Sequence, residues 1–468
     1  MLLRRATRSL LFSTAVILLP AMAGAQGFAL NEIGSCAVGR SFAVAAGGCS
    51  DASLIFWNPA ATTRLDGWSA LVGGASIAIT GSFTRDTTGR KYNSAAPTQF
   101  VPHLFVNHHS KGSKLSLGAG VYVPYGLTSQ WGTDTFPGRF NSQRAKLQTV
   151  YVQPNIAYQM NEKWSIGGGP IWGHSSVSLD QSIDLSSQVA AAATATTPAV
   201  TFAQLGIAKN TEFGKGHLEG SSTGVGAQIG ILGAVSRDWT IGARYLSPIK
   251  FSYTGATASF TQVNTGLVLA AALPGIPAGT PVDVLVAPQF AAGGKLVSQH
   301  ASTTITHPAQ AQIGFNYAGF KDWNIEVDYA WMQWSAFKEL AVAFDSTALS
   351  STRIEDYNNS SALRIGAERG FANKARLRLG ISGATTAAPE ATVTPLLPEQ
   401  ERAYYTVGGS YPFTSMLTLD GAFAHIATLG RRGRLDERPD RTVGADKLNI
   451  GVYTLSANIF SLSLKASF

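Results

Sequence analysis

"FSLSLKASF", residues 460–468, closes the chain on a strict alternation. Phe460, Leu462, Leu464 and Ala466 fall on one side of an extended strand, and Ser461, Ser463, Lys465 and Ser467 on the other, because successive side chains of a strand point to opposite faces. An apolar face backed by small polar residues suits a strand with lipid outside and a polar interior behind it. The chain ends on Phe468, the terminal aromatic that bacterial outer-membrane barrels typically present to their insertion machinery.

The same period of two recurs upstream. Leu115, Leu117, Ala119, Val121 and Val123 alternate with Ser116, Gly118, Gly120 and Tyr122. Val150, Val152, Pro154, Ile156 and Tyr158 alternate with Thr149, Tyr151, Gln153, Asn155 and Ala157. Trp239, Ile241, Ala243, Tyr245, Ile249 and Phe251 share a face opposite Thr240, Gly242, Arg244 and Lys250; Trp323, Ile325, Val327, Tyr329 and Trp331 oppose Asn324, Glu326 and Asp328; Leu377, Leu379 and Ile381 oppose Arg376, Arg378 and Ser382. Trp164, Trp239, Trp323, Tyr158, Tyr317 and Tyr411 collect at strand ends, as an interfacial girdle requires. Short polar turns at 161–163, 236–238, 321–322 and 373–374 contrast with long connections near 179–218, 254–304, 384–400 and 428–446. The pattern predicts an all-β fold, a transmembrane antiparallel barrel of about 14 strands, with short turns at one end and long extracellular loops at the other.

Composition agrees. Arg4, Arg5 and Arg8 precede an apolar run, Leu10–Met22, that ends in Ala23-Gly24-Ala25. Residues 1–25 therefore read as a secretory signal peptide, too short to span a bilayer core of about 30 Å. Charged residues are 14% of the chain, against about 25% in soluble domains, and the mean hydropathy is slightly positive. After residue 25 no apolar run is long enough for a membrane helix; Leu267–Leu285 is broken by Pro274, Pro277 and Pro281. Beyond the signal segment 33 basic residues face 28 acidic ones, a net +5, scattered rather than clustered. That says little about nucleic acid, which is not expected as a partner, and supports at most attraction to anionic lipid headgroups or acidic substrates. Cys36 and Cys49, the chain's two cysteines, lie before the barrel pattern in an exported protein, where a disulfide is expected; two free thiols are the alternative. Neither a metal site nor a cofactor is suggested.

The order and spacing of several stretches resemble the FadL family of outer-membrane transporters for long-chain fatty acids, which includes toluene and xylene channels. "GFALNEIGSCAVGRSFAVAAGGCSDASLIFWNPAATTRL" (27–65) resembles the family's N-terminal plug, with its Asn-Pro-Ala motif at Asn58, Pro59 and Ala60. "VPYGLTSQW" (123–131), "GRFNSQRAKLQTVYVQPNIAYQMNEKWSIGGG" (138–169), "DWTIGARYLSPIKFSYTG" (238–255), "WMQWSAFKEL" (331–340) and "LLPEQERAYYTVGGSY" (396–411) match further landmarks. The resemblance implies a hatch at 26–66 plugging a 14-stranded barrel at 67–468, loop capture of a hydrophobic substrate, an internal pocket, hatch movement, and lateral exit at a kink in the third strand. It places the chain in the outer membrane of a Gram-negative bacterium, among lipid and lipopolysaccharide, as a monomer.

Candidate residues follow from both readings. Phe56 and Trp57, with Asn58, Pro59 and Ala60, are candidates for the gate, with a simple Asn-Pro turn as the alternative. Gly118, Gly120, Pro124 and Gly126 mark a break in the third strand, since proline lacks a ladder donor and glycine weakens a strand; a glycine-rich strand end is the other reading. Leu267, Val268 and Leu269 lie in an apolar loop that either forms a substrate groove or packs against its neighbours. Arg244, Lys250, Arg364, Arg376 and Arg378 are expected to face the lumen, where they either meet a substrate carboxylate or pair with Glu326, Asp328 and Glu368. A fatty acid and an aromatic hydrocarbon both remain open as substrate. An enzyme is disfavoured: no G-x-S-x-G occurs, "GHSSV" (173–177) lacks the second glycine, and the eight His are scattered. An open diffusion porin would not need a plug.

Overall fold

The computed structural model describes residues 27–132, 135–192, 198–433 and 450–468; the expected signal segment, and 434–446 of the last expected loop, lie outside them. Fourteen antiparallel strands close into a barrel: β1 (Gly67–Arg85), β2 (Gln99–His109), β3 (Leu115–Gln130), β4 (Arg144–Gln159), β5 (Trp164–Ile183), β6 (Gly214–Ala234), β7 (Trp239–Leu246 and Ile249–Gln262), β8 (Gln299–His307 and Gln310–Phe320), β9 (Trp323–Met332), β10 (Ser360–Gly370), β11 (Arg376–Ala384), β12 (Arg402–Pro412), β13 (Leu417–Thr428) and β14 (Gly451–Ser467). β14 closes on β1 from Ser69↔Ser467 to Arg85↔Gly451, so the sheet returns on itself. Phe460, Leu462 and Leu464 are exposed on the outer wall while Ser461 and Ser463 are buried inside, the partition the alternation predicts.

One strand departs from it. β7 is interrupted at Ser247-Pro248, where proline offers no N–H to the ladder. Gly242, Arg244 and Leu246 face inward, but beyond the break Ile249, Phe251 and Tyr253 are the buried set. The interruption flips the parity, so Lys250 points outward rather than into the lumen, correcting the expected placement.

Residues 27–66 run inside the barrel and are almost wholly buried. They carry two short helices, α1 (Ser35–Gly39) and α2 (Leu54–Trp57), and a 3-10 turn, Pro59–Arg64. The wall is shaved where this segment touches it. A Cβ on Gly242 would stand 2.0 Å from the Ala45 carbonyl oxygen, and one on Gly380 2.5 Å from the Arg40 carbonyl carbon, so only glycine lets the two backbones approach. Cys36 and Cys49 form a disulfide across this segment. Closing a loop of that size stabilises by about 3 kcal/mol. Replacing both cysteines by Ser is expected to leave the heat-modifiable gel mobility of the barrel intact while amide exchange across residues 34–53 accelerates at least tenfold; unchanged exchange would show the cross-link to be dispensable.

Candidate functional site

The wall between β2 and β3 is incomplete. Their ladder runs from His109↔Ser116 to His103↔Tyr122 and stops there. Beyond it, among the wall strands Gln99–Pro102 pairs with β1 and Tyr125–Gln130 with β4, after a register shift between Tyr122 and Tyr125. The wall closes again where Ala95 N–H donates to the Gln130 carbonyl (2.8 Å). Pro124 cannot donate to a ladder, and the extra residue beside it forms a bulge that turns β3 inward. The backbone groups so freed are met from inside: Leu30 N–H donates to Pro124 O and Gly126 N–H to Phe28 O, both at 2.9 Å. The start of the inner segment thus replaces β2 as a partner of β3.

A cavity of about 480 Å³ occupies this place. Ala29, Leu30, Ile77, Ile79, Leu127 and Leu147 line its inner part, and Phe100, Pro102 and Val150, which face the outside, line its mouth. It therefore joins the lumen to the lipid-facing wall. At the opposite end stand Gln400 and Arg402. The Gln400 carbonyl oxygen accepts from Thr428 Oγ1 (2.8 Å) and Leu455 N–H (3.1 Å), whereas its amide nitrogen is buried without a partner among the described residues. Arg402 interacts with Tyr404, Glu399 and Glu32. Glu399 accepts from Gly27 N–H (2.6 Å) and from Ala387 and Ala388 N–H. Burial pushes the Glu32 and Glu399 carboxyls above their ordinary range, and the nearby Arg402 charge pulls them back down.

The profile of the family described as outer membrane protein transport protein (OMPP1/FadL/TodX) matches residues 16–468. The chain belongs to this family. It is 27% identical over 422 residues to a long-chain fatty acid transport protein of Escherichia coli, covering 87% of this chain and 88% of that one. It is 24% identical over 493 residues to outer membrane protein P1 of Haemophilus influenzae, covering 98% of each. Among solved structures it resembles a FadL homologue of Pseudomonas aeruginosa (TM-score 0.73, 21% identity, 95% of this chain and 100% of that one) and the toluene transporter TbuX of Ralstonia pickettii (TM-score 0.61, 18% identity, 94% and 99%). The protein is accordingly an outer-membrane transporter of hydrophobic compounds.

Within this FadL-type barrel, the arginines singled out in the sequence do not meet in the cavity. Arg244 lies 4.5 Å over the Phe56 ring and donates to Gln310 (3.0 Å) and Gln312 (3.2 Å). Arg364 donates to Asn31 (3.2 Å) and the Phe42 carbonyl (3.4 Å) and lies over Phe42 and Trp57. Arg376 and Arg378 both pair with Glu368, and Arg378 also with Asp420 at 2.6 Å. All four hold the inner segment or the wall. Leu269 is buried in a separate apolar cluster with Phe202, Phe213, Val282 and Val286, Leu267 packs against it, and Val268 is exposed; here the two long loops pack on each other, at a distance from the cavity lining. Gly126 lines the cavity, while a Cβ on Gly118 or Gly120 would strike Val106 O or Phe105.

Phe56 and Trp57 are fully buried, Phe56 5.1 Å from Tyr122 and Trp57 donating to Ile33 O at 2.8 Å. Asn58 caps the 3-10 turn by accepting from Ala60 N–H (3.2 Å), and donates to Ala45 O (2.7 Å) and to Ile231 O in the wall (3.0 Å). Pro59 sits at the first helical position, where its missing N–H costs nothing. Arg402, which lines the cavity, was missed; its signal was the inward set Arg402, Tyr404 and Thr406 on β12.

The strongest anchor of the inner segment is acidic. Asp328 accepts from Val44 and Ala45 N–H (2.8 and 2.9 Å) and from Gln312 (2.7 Å), and Glu326 accepts from Ala46 N–H (2.5 Å). Asp328→Ala leaves two buried N–H groups without acceptors, at about 1–3 kcal/mol each. Exchange at Val44 and Ala45 is expected to rise by two orders of magnitude or more while the barrel ladder stays protected; unchanged protection would contradict the anchoring role.

Proposed function

We propose that the protein takes up long-chain fatty acids across the outer membrane. The substrate is captured at the extracellular loops and passes into the cavity between β1, β3, β4 and the inner segment. Residues 27–66 act as a movable hatch, and the substrate leaves sideways through the opening beside Pro124. The single observation carrying this reading is the cavity's two-ended chemistry: an apolar bore that reaches the lipid-facing wall, and a polar end where Arg402 stands beside the unpartnered Gln400 amide. A carboxylate there would satisfy that donor and gain a charge-assisted hydrogen bond, while the alkyl chain fills the apolar bore. The Escherichia coli relative, named a long-chain fatty acid transport protein, is consistent with it.

A second reading is an aromatic hydrocarbon channel. It is favoured by the two carboxyls already beside Arg402, which leave little net charge for an acid to meet. The variant Arg402→Gln/Gln400→Leu separates the two. A lost charge-assisted hydrogen bond is worth about 1.5–3 kcal/mol, so oleate uptake is expected to fall ten- to a hundredfold while toluene uptake is unchanged. Undiminished oleate uptake would rule out the fatty-acid reading.

A further inference from the structure

The opening beside Pro124 is not lined alike from bottom to top. Where it reaches the outer surface, Pro102 and Val150 stand at its lower edge, and Gln148, His174 and Ser176 at its upper edge. Pairing sets their heights: Val150 lies opposite His174, and Gln148 lies between Gly126 and Ser176. These side chains take the outer face, because Leu147, Thr149, Gly173 and Ser175 between them are buried inside. The exposed apolar residues of β4 run from Tyr158 through Ile156 and Val152 to Val150 and end there, and those of β5 end at Trp172. An aromatic residue closing an apolar band marks the boundary between acyl chains and headgroups. That boundary therefore crosses the opening, with its lower edge in the acyl region and its upper edge at headgroup level.

An acid held at Arg402 and Gln400 has to carry its carboxyl past Ile77, Leu127 and Leu147 to leave. A carboxylate without hydrogen bonds is costly in such surroundings, so the next free donors on its way govern how readily it goes. Most polar groups of the lining are already engaged. Thr149 Oγ1 bonds Ser175 (2.8 Å), Ser456 Oγ bonds Thr80 (2.9 Å), and the Gln99 amide donates to Pro97 O (2.7 Å). The side chains of Thr128, Gln148, His174 and Ser176, by contrast, have no hydrogen bond or ion pair among the described residues. A Gln amide, a hydroxyl and either neutral form of a His ring each offer a donor. The unengaged donors of the cavity thus gather at the upper edge of its mouth.

We propose that this upper edge is a second carboxyl-binding station, met by the acid on its way out; the proposal rests on the fatty-acid reading above. Gln148 and His174 donate to the carboxylate by charge-assisted hydrogen bonds, with the Ser176 and Thr128 hydroxyls beside them. The alkyl chain lies over Pro102, Val150 and Trp172 below. The acid then enters the outer leaflet with its carboxyl at headgroup level and its chain among acyl chains. A hydrocarbon has no group for the station to hold and passes it unchecked.

The test compares uptake by cells carrying the full chain with oleate binding to the purified chain in mild detergent. Gln148→Leu/His174→Leu, at two exposed positions, is expected to cut oleate uptake at least threefold. Its affinity for oleate is expected to stay within twofold of the unaltered chain, and its toluene uptake to be unchanged. Gln148→Asn/His174→Gln keeps the donors and is expected to keep oleate uptake within twofold. Ser176→Val, expected to halve oleate uptake, serves if the leucine double variant fails to fold by heat-modifiable mobility. Full oleate uptake by a folded leucine variant that still binds oleate would overturn the station alone. So would an equal loss of toluene uptake, which would make the edge a plain doorway, or a tenfold loss of affinity, which would make it part of the inner site. An unaltered chain that binds no oleate would be a different failure, taking down the fatty-acid reading and the station with it.

Discussion

Inside a bilayer every backbone N–H and C=O needs a partner, because no water is present to supply one. The ladder between neighbouring strands fails beside Pro124, where β2 and β3 part. There the accounts are closed from within: Phe28 and Leu30 exchange hydrogen bonds with Gly126 and Pro124. The wall opening is therefore tolerable only while the start of the inner segment is in place, and displacement of that segment would free backbone groups of β3. Opening and hatch are joined through two hydrogen bonds rather than through a long relay.

The rest of the lumen is arranged to hold the segment. Glycines at 242 and 380 let its backbone touch the wall, Glu326 and Asp328 accept its N–H groups, and Arg244 and Arg364 cover its aromatic rings. Buried charges are costly unless paired and hydrogen-bonded, and each of these has several partners. The cavity near β3 is different. Its lining is largely apolar, and the Gln400 amide nitrogen is left without a partner. Other buried polar side-chain atoms, such as Arg244 Nη1 and Trp334 Nε1, also lack a partner among the described residues, but the Gln400 donor is the one that lines this cavity.

Much of this was legible in the sequence because a barrel strand has lipid on one face and a crowded lumen on the other. The period of two therefore survives tertiary packing, as in Phe460–Phe468 and Val150–Tyr158. It failed for Lys250 because one proline break reverses parity and alternation carries no memory across it. The roles of the inward arginines were not legible either. Alternation tells which way a side chain points but not how high it stands, so Arg378 in a wall ion network and Arg402 in the cavity look alike on their strands. The loop stretch at Leu267–Leu269 looked like a binding surface because its apolar partners, Phe202 and Phe213, lie some 60 residues away in sequence.

The central claim is that substrate leaves through the side of the barrel, and the bulge in β3 offers a direct test. Tyr122 pairs with Tyr151 and Tyr125 with Thr149, so β3 carries one residue more than its partner between these points. Deleting Val123 would restore the register and let β3 run straight beside β2. Oleate uptake by cells carrying the deletion, with folding checked by heat-modifiable mobility, is the measurement. The account requires uptake to fall to the level of cells lacking the protein while the barrel stays folded. Undiminished uptake through a folded, straightened wall would contradict it and point to a route down the lumen.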